Sequence, residues 1–318
     1  MHSHHSFTPT APPLLAAMAT AALCAAQPAA GQSNTLGSYE DSICQDNSHG
    51  IFHACALQAA ARSEPPPRML HGRPDFSGYW RRRAWIFEDF EAHPATADDF
   101  GGVSGVVDPA DGRVPMQPWA VEQSRHNAET YLHHNAACIL SGPAGTMYMT
   151  SRFQFLQDEQ HLVMVGEQLT AHPYRIIPLD GRPHIGDIPM WNGDPRGRWE
   201  GNTLVIESPN QNAKYLLDQR GRFITDEARI TEHMTLVDEN TIHYSATFDD
   251  PNVFTRPFTI AFAFRRDTDA NPEIWEEACF ETNEDQIRLY RSNGYRVYPG
   301  ITGEAARRLK AQWERSQP

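Results

Sequence analysis

The chain has 318 residues, 40% of them apolar and 10% aromatic, which is enough for a substantial core in one large or two modest domains. Its 27 basic and 40 acidic residues give a formal charge of -13, which repels phosphate backbones and anionic membrane surfaces, so no nucleic acid partner is expected. No stretch reaches the roughly 20 apolar residues of a spanning helix, so no integral membrane segment is expected after processing.

The first element is a short apolar block, Pro13 to Cys24, followed by small residues through Gly31, the pattern of a signal peptide over residues 1–31. His2, His4 and His5 stand where Lys or Arg would be usual, and Leu23 before Cys24 argues against a lipoprotein. The expected location is periplasmic or secreted. In that oxidising setting Cys44, Cys55, Cys138 and Cys279 form an even set for which three pairings are formally open. Cys44 with Cys55, close together in a polar segment, and Cys138 with Cys279 is the pairing expected. For the second pair, buried free thiols are the alternative.

Residues 32–72 read as an N-terminal arm that holds the Cys44–Cys55 loop and ends in Glu64-Pro-Pro-Pro-Arg68, a stiff spacer. A domain over 73–300 opens with Pro74-Asp-Phe-Ser-Gly-Tyr-Trp80. Pro118 starts a helical insertion that runs to His134, and Ser141-Gly-Pro-Ala-Gly145 reads as a turn. Nine β-rich runs follow, at 149–155, 161–169, 174–179, 203–207, 228–237, 241–248, 258–264, 273–280 and 285–290. Turn signals such as Glu200-Gly-Asn202 and Asp238-Glu-Asn240 join several of them. Consecutive hairpins favour closure into an antiparallel up-and-down barrel, which removes exposed edges. The tail, 301–318, places Ala305, Leu309 and Trp313 on one helical stripe that should dock on the barrel wall.

Gly78-Tyr-Trp80 on the first strand resembles the Gly-x-Trp of lipocalins and other calycins, in which the Trp plugs one barrel end. The fold class that follows is mainly β, a lipocalin-like barrel with a helical insertion and a C-terminal helix. Pro74 to Trp80, Leu179-Asp-Gly-Arg-Pro-His184, Gly193 to Ile206, Asp250-Pro251 and Thr255-Arg-Pro257 together resemble a set found in a large group of mostly uncharacterised secreted bacterial proteins. The resemblance covers about residues 73–290 and departs at His233, where Arg is usual.

Chemistry concentrates where strands end. The turn after Leu179 delivers His184 near Asp180 and Asp187, the parts of a general base oriented by a carboxylate; the alternative is a His that caps the turn. Trp191, Asp194, Arg196 and Arg198 crowd the next loop, where Arg can hold a carboxylate or enolate and Trp can stack on a planar substrate. Arg198 paired with Glu200, and Trp199 in the core, is the structural reading of that loop's second half. Inside the barrel, the parity set Val163, Val165, Glu167 and the set Arg175, Ile177, Leu179 each carry one charge, so Glu167 and Arg175 are expected to pair in or beside a cavity close to His172. Of Glu232 and His233 only one can point inward.

No Gly-x-Ser-x-Gly, GxGxxG, P-loop or HExxH occurs, and the adjacent His133 and His134 make poor joint ligands, so no cofactor and no metal are expected. Two functions fit. One is a cofactor-independent isomerase, lyase or cyclase acting on a hydrophobic or aromatic small molecule in the barrel cavity. Here His184, Asp194, Glu167 and Arg175 do the chemistry, while Trp191, Arg196, His172 and Glu232 bind substrate. The other is a non-catalytic, lipocalin-like carrier of an apolar small molecule.

Overall fold

The computed structural model describes residues 42–44, 48–62, 65–84, 86–96, 101–133, 136–167, 173–276 and 278–317. The expected signal peptide and His172 lie outside the described residues. In chain order the elements are α1 (His49–Ala60), β1 (Met69–Leu70), β2 (Arg73–Pro74), β3 (Gly78–Arg83), β4 (Val106–Asp108), α2 (Pro118–Thr130), β5 (Tyr131–Leu132), α3 (Gly142–Met149) and β6 (Arg152–Gln157). They continue with β7 (His161–Glu167), β8 (Tyr174–Pro178), β9 (Arg196–Glu200), β10 (Thr203–Glu207), β11 (Arg229–Asp238), β12 (Thr241–Asp249), β13 (Phe258–Arg266), α4 (Cys279–Ser292), β14 (Arg296–Val297) and α5 (Gly303–Ser316).

The main sheet is an antiparallel, nearly closed barrel with strands in the order β8-β7-β6-β3-β13-β12-β11-β10-β9, and β4 takes the edge of β13 beyond β3. Every ladder along this path is antiparallel, and the path has an odd number of strands, so β8 and β9 run in the same direction and cannot close the ring as a hairpin. Only residues 179–195 connect them. The two strands still meet through side chains: a Cβ on Gly197 would lie 2.5 Å from Leu179 and 3.1 Å from Ile177. The single seam of the barrel is thus spanned by the loop on which the sequence concentrates its charged and aromatic residues.

Large side chains fill the inner face. Trp80, Phe153, Phe155, Tyr244, Phe262 and Phe264 are fully buried and pack ring on ring, with Phe153 and Phe264 edge to face at 5.6 Å. Arg266 lies 4.1 Å above the Trp80 ring and closes that end. At the described positions the lumen is therefore core, where a ligand cavity had been expected. On the outer face, α1 covers β11 and β13, burying Phe52 against Val237 and Ala263, so β12 is buried on both sides.

Both disulfides take the expected pairing, Cys44–Cys55 and Cys138–Cys279. Three expectations fail. Residues 279–292 form α4, where strands were expected at 273–280 and 285–290; its charges sit at helical spacing, with Glu284 and Arg288 one turn apart at 2.5 Å. The 141–145 turn opens α3, a helix buried along its whole length, whose Gly and Pro hide its character in the sequence. Helix α5 forms at the expected place with Thr302 as its cap, accepting from the Ala305 N–H at 3.2 Å, but it packs on α2, and Ala306 takes the buried position assigned to Ala305.

Candidate active site

Strand β8 ends at Pro178, and Gly181, with φ of 74°, turns the chain. Arg182 folds back onto Asp180 at 2.6 Å, and this hydrogen bond holds the Asp180 carboxyl at about 2. Asp180 is therefore spent on its own turn, and Asp187 is exposed and forms no hydrogen bond or ion pair with His184. The carboxylate that meets His184 is Asp194. It is buried, and it accepts His184 Nδ1 at 3.0 Å, the Ile185 N–H at 2.7 Å and Arg196 Nη1 at 2.5 Å. Arg196 also donates to the carbonyls of Arg182, at 3.1 Å, and Pro183, at 2.7 Å, so the turn that carries His184 is clamped from both sides. Because a carboxylate only accepts, His184 donates from Nδ1, and the neutral ring keeps its lone pair on Nε2.

That ring is 37% exposed and faces an open cleft of about 320 Å³, lined also by Glu207, Ser208, Pro209, Arg229, Ile230 and Thr231. The register explains the company: Glu207 lies opposite Thr231, and Ile206 opposite Glu232. Alternation then puts Ile206, Ile230 and Glu232 inside the barrel and Glu207, Arg229 and Thr231 outside. The cleft is on the outer wall, at the seam end of β10 and β11. Arg198, at 2.8 Å, engages Glu207. Ser208 is buried, and its hydroxyl has no hydrogen-bond partner among the described residues.

No protein-family model matches the chain, and no curated protein matches it. The reading of the site therefore rests on its geometry.

Of the residues expected here, His184, Asp194 and Arg196 come together. The others do not. Arg175 does point inward, but its partner is Glu232 across the lumen, at 2.5 Å, and both side chains are 0% exposed. Glu167 faces the other way, toward Arg152 at 3.8 Å and the Trp275 N–H at 3.1 Å. The expected Glu167–Arg175 pair fails because β7 carries apolar residues at both parities: Leu162 and Met164 take the inside, which leaves Val163, Val165 and Glu167 out. Glu232, expected at the substrate, is sealed in the core, and His233 faces outward. Trp191 packs on the core. Arg198 pairs with Glu200 at 2.9 Å, and Trp199 stacks on Phe76 at 5.7 Å, so the second half of that loop is framework. Ser208, Arg229 and Thr231 were missed. Only the register of β10 on β11 brings them to His184, and no local spacing encodes that.

Proposed function

We propose that the protein is a cofactor-independent acid/base catalyst whose reacting group is His184 Nε2, acting on a small, partly aromatic molecule in the outer cleft. The observation that carries this reading is the convergence of His184, buried Asp194 and Arg196 within hydrogen-bond reach. A His that merely capped its turn would not need a buried carboxylate on one ring nitrogen while the other opens on a cleft. Asp194 and Arg196 are positioning residues; His184 takes a proton from the substrate and returns it, the chemistry of an isomerase, lyase or cyclase. A cleft of about 320 Å³ falls at the lower end of small-molecule sites. The alternative, a carrier that holds an apolar ligand inside its barrel, finds less support, since the described lumen positions are occupied by Phe, Tyr and Trp side chains.

We read the chain further as an exported, calycin-related protein of the periplasm or extracellular space. In support are Trp80 plugged by Arg266, two disulfides of the kind oxidising compartments preserve, the apolar leader in the sequence, and the absence among the described residues of any helix long and apolar enough to cross a membrane. The motif set, which resembles one found in mostly uncharacterised secreted bacterial proteins, supports the same reading.

The test incubates the purified protein with a panel of aromatic metabolites and follows turnover and ligand retention in the native chain and in His184→Ala. Loss of a general acid/base predicts a 10²- to 10⁴-fold drop in turnover with binding retained. Equal turnover in both forms, or every bound compound recovered unchanged from the native protein, would reject the catalytic reading.

A further inference from the structure

The cleft holds one guanidinium that no side chain among the described residues pairs with. Arg229, at the start of β11, makes no hydrogen bond or ion pair among the described residues, although Asp249 is its cross-strand neighbour in β12. Arg182, Arg196 and Arg198 nearby are each tied to a carboxylate, at 2.6, 2.5 and 2.8 Å. Beside Arg229 lie the unpartnered, buried Ser208 hydroxyl and the outward Thr231. A chain of net charge -13 that leaves one guanidinium open next to its candidate base has a place for an anion.

We infer that the substrate carries a single carboxylate, held by Arg229, with its apolar body over Pro209 and its acidic hydrogen toward His184. The inference rests on the acid/base reading of the same cleft. Glu207 on the cleft wall is held by Arg198 at 2.8 Å, which leaves Arg229 to balance the ligand: one guanidinium matches a single carboxylate, whereas a phosphate dianion would keep an unbalanced charge. The space limits its size, since about 150 Å³ already admits a benzene ring, so one ring plus a carboxylate fits.

The test uses the full chain and three probes, benzoate, benzamide and inorganic phosphate, titrated by calorimetry and by NMR of the imidazole resonances. Benzoate is expected to bind and to shift the His184 signals, with benzamide weaker by about tenfold or more, as for a lost charge-assisted pair, and phosphate absent. Arg229→Gln should weaken benzoate by about tenfold while leaving thermal stability unchanged, because the Arg229 side chain is exposed and makes no hydrogen bond or ion pair among the described residues. Arg288→Gln, a surface change on α4, should leave benzoate binding as it was. Benzoate and benzamide binding alike, Arg229→Gln binding benzoate like the native chain, tighter phosphate binding, or no benzoate binding up to about 10 mM would each overturn the inference. The two readings fail separately. Benzoate binding that depends on Arg229, together with turnover that survives His184→Ala, sinks the catalytic role and keeps the anion site. Turnover that needs His184 but not Arg229 does the reverse.

Discussion

Two fully buried charges lie inside the barrel, away from the cleft. Arg175 on β8 reaches Glu232 on β11 with two parallel hydrogen bonds, at 2.8 and 2.5 Å, and also donates to the Pro143 carbonyl at 3.3 Å. Tyr244 gives its hydroxyl to the same carboxylate at 2.7 Å. Burial opposes the charged guanidinium, and the adjacent Glu232 outweighs it, so the Arg175 pKa is raised; burial and then Glu232 push Tyr244 well above the ordinary phenol range. Such a pair contributes little net stability, but losing one member strands the other in the core. Glu232→Gln should therefore cost about 3–5 kcal/mol in urea unfolding, whereas Arg175→Met with Glu232→Leu should recover most of that loss. Equal losses in the single and double variants would show that shape, not charge, makes this site sensitive.

At the scale of elements, the 179–195 connection decides whether the cleft exists. Its end lies against the segment after β10, with the Met190 N–H on the Asn210 carbonyl at 2.9 Å and the Asp194 N–H on the Pro209 carbonyl at 2.8 Å. Gly193 permits that approach: its φ is 63°, and a Cβ there would stand 2.5 Å from the Pro209 oxygen. Gly181 shares the left-handed conformation, with φ of 74°, but faces open space. Both glycines pay the backbone term on substitution by Ala, about 1–2 kcal/mol. Gly193→Ala adds a clash with main chain, so it should lose clearly more stability than Gly181→Ala. It should also break the Asp194–His184 contact, visible as a changed Nδ1 proton signal. Equal effects of the two substitutions would remove Gly193 from its role in building the site.

Across the whole molecule, buried histidines set the response to acid. Burial lowers His49 to about 4, His133 to about 3 and His243 to about 3, the last helped by His53, whose Nδ1 lies 2.9 Å from His243 Nε2. In the unfolded chain each has a pKa near 6.5, so between 6.5 and the folded values the unfolded state binds more protons. Stability from these groups is present above pH 6.5 and falls as the pH drops toward 3–4, by about 1.4 kcal/mol per pH unit for each group in that window. The protein should unfold in mild acid. His243→Gln should flatten the slope by about one proton, measured as unfolding free energy against pH. An unchanged slope would place the acid sensitivity elsewhere. Because His53 is on α1 and His243 on β12, the arm stapled by Cys44–Cys55 should detach from the barrel wall early in that transition.

Much of this molecule is written locally. The run Thr203-Leu-Val-Ile206 has β-branched and apolar residues that do little but extend, the turns at Glu200-Gly201 and Glu239-Asn240 join hairpins, and the two disulfides follow from an even cysteine set. His184, Asp194 and Arg196 were legible as a group because turn-forming residues crowd the stretch that ends where β9 begins at Arg196. What the sequence left open depends on parity and direction, which are settled only when strands pair. Leu162 and Val163 are nearly equal in hydrophobicity, so one-residue register decided whether Glu167 or its neighbours went inside, and with it that Arg175 would find Glu232. The odd strand number, and so the seam between β8 and β9, is a property of the closed ring and of no segment within it. Local chemistry supplied His184 and its carboxylate partner Asp194, while the tertiary pairing placed them on the outside of the barrel and brought Ser208 and Arg229 to meet them.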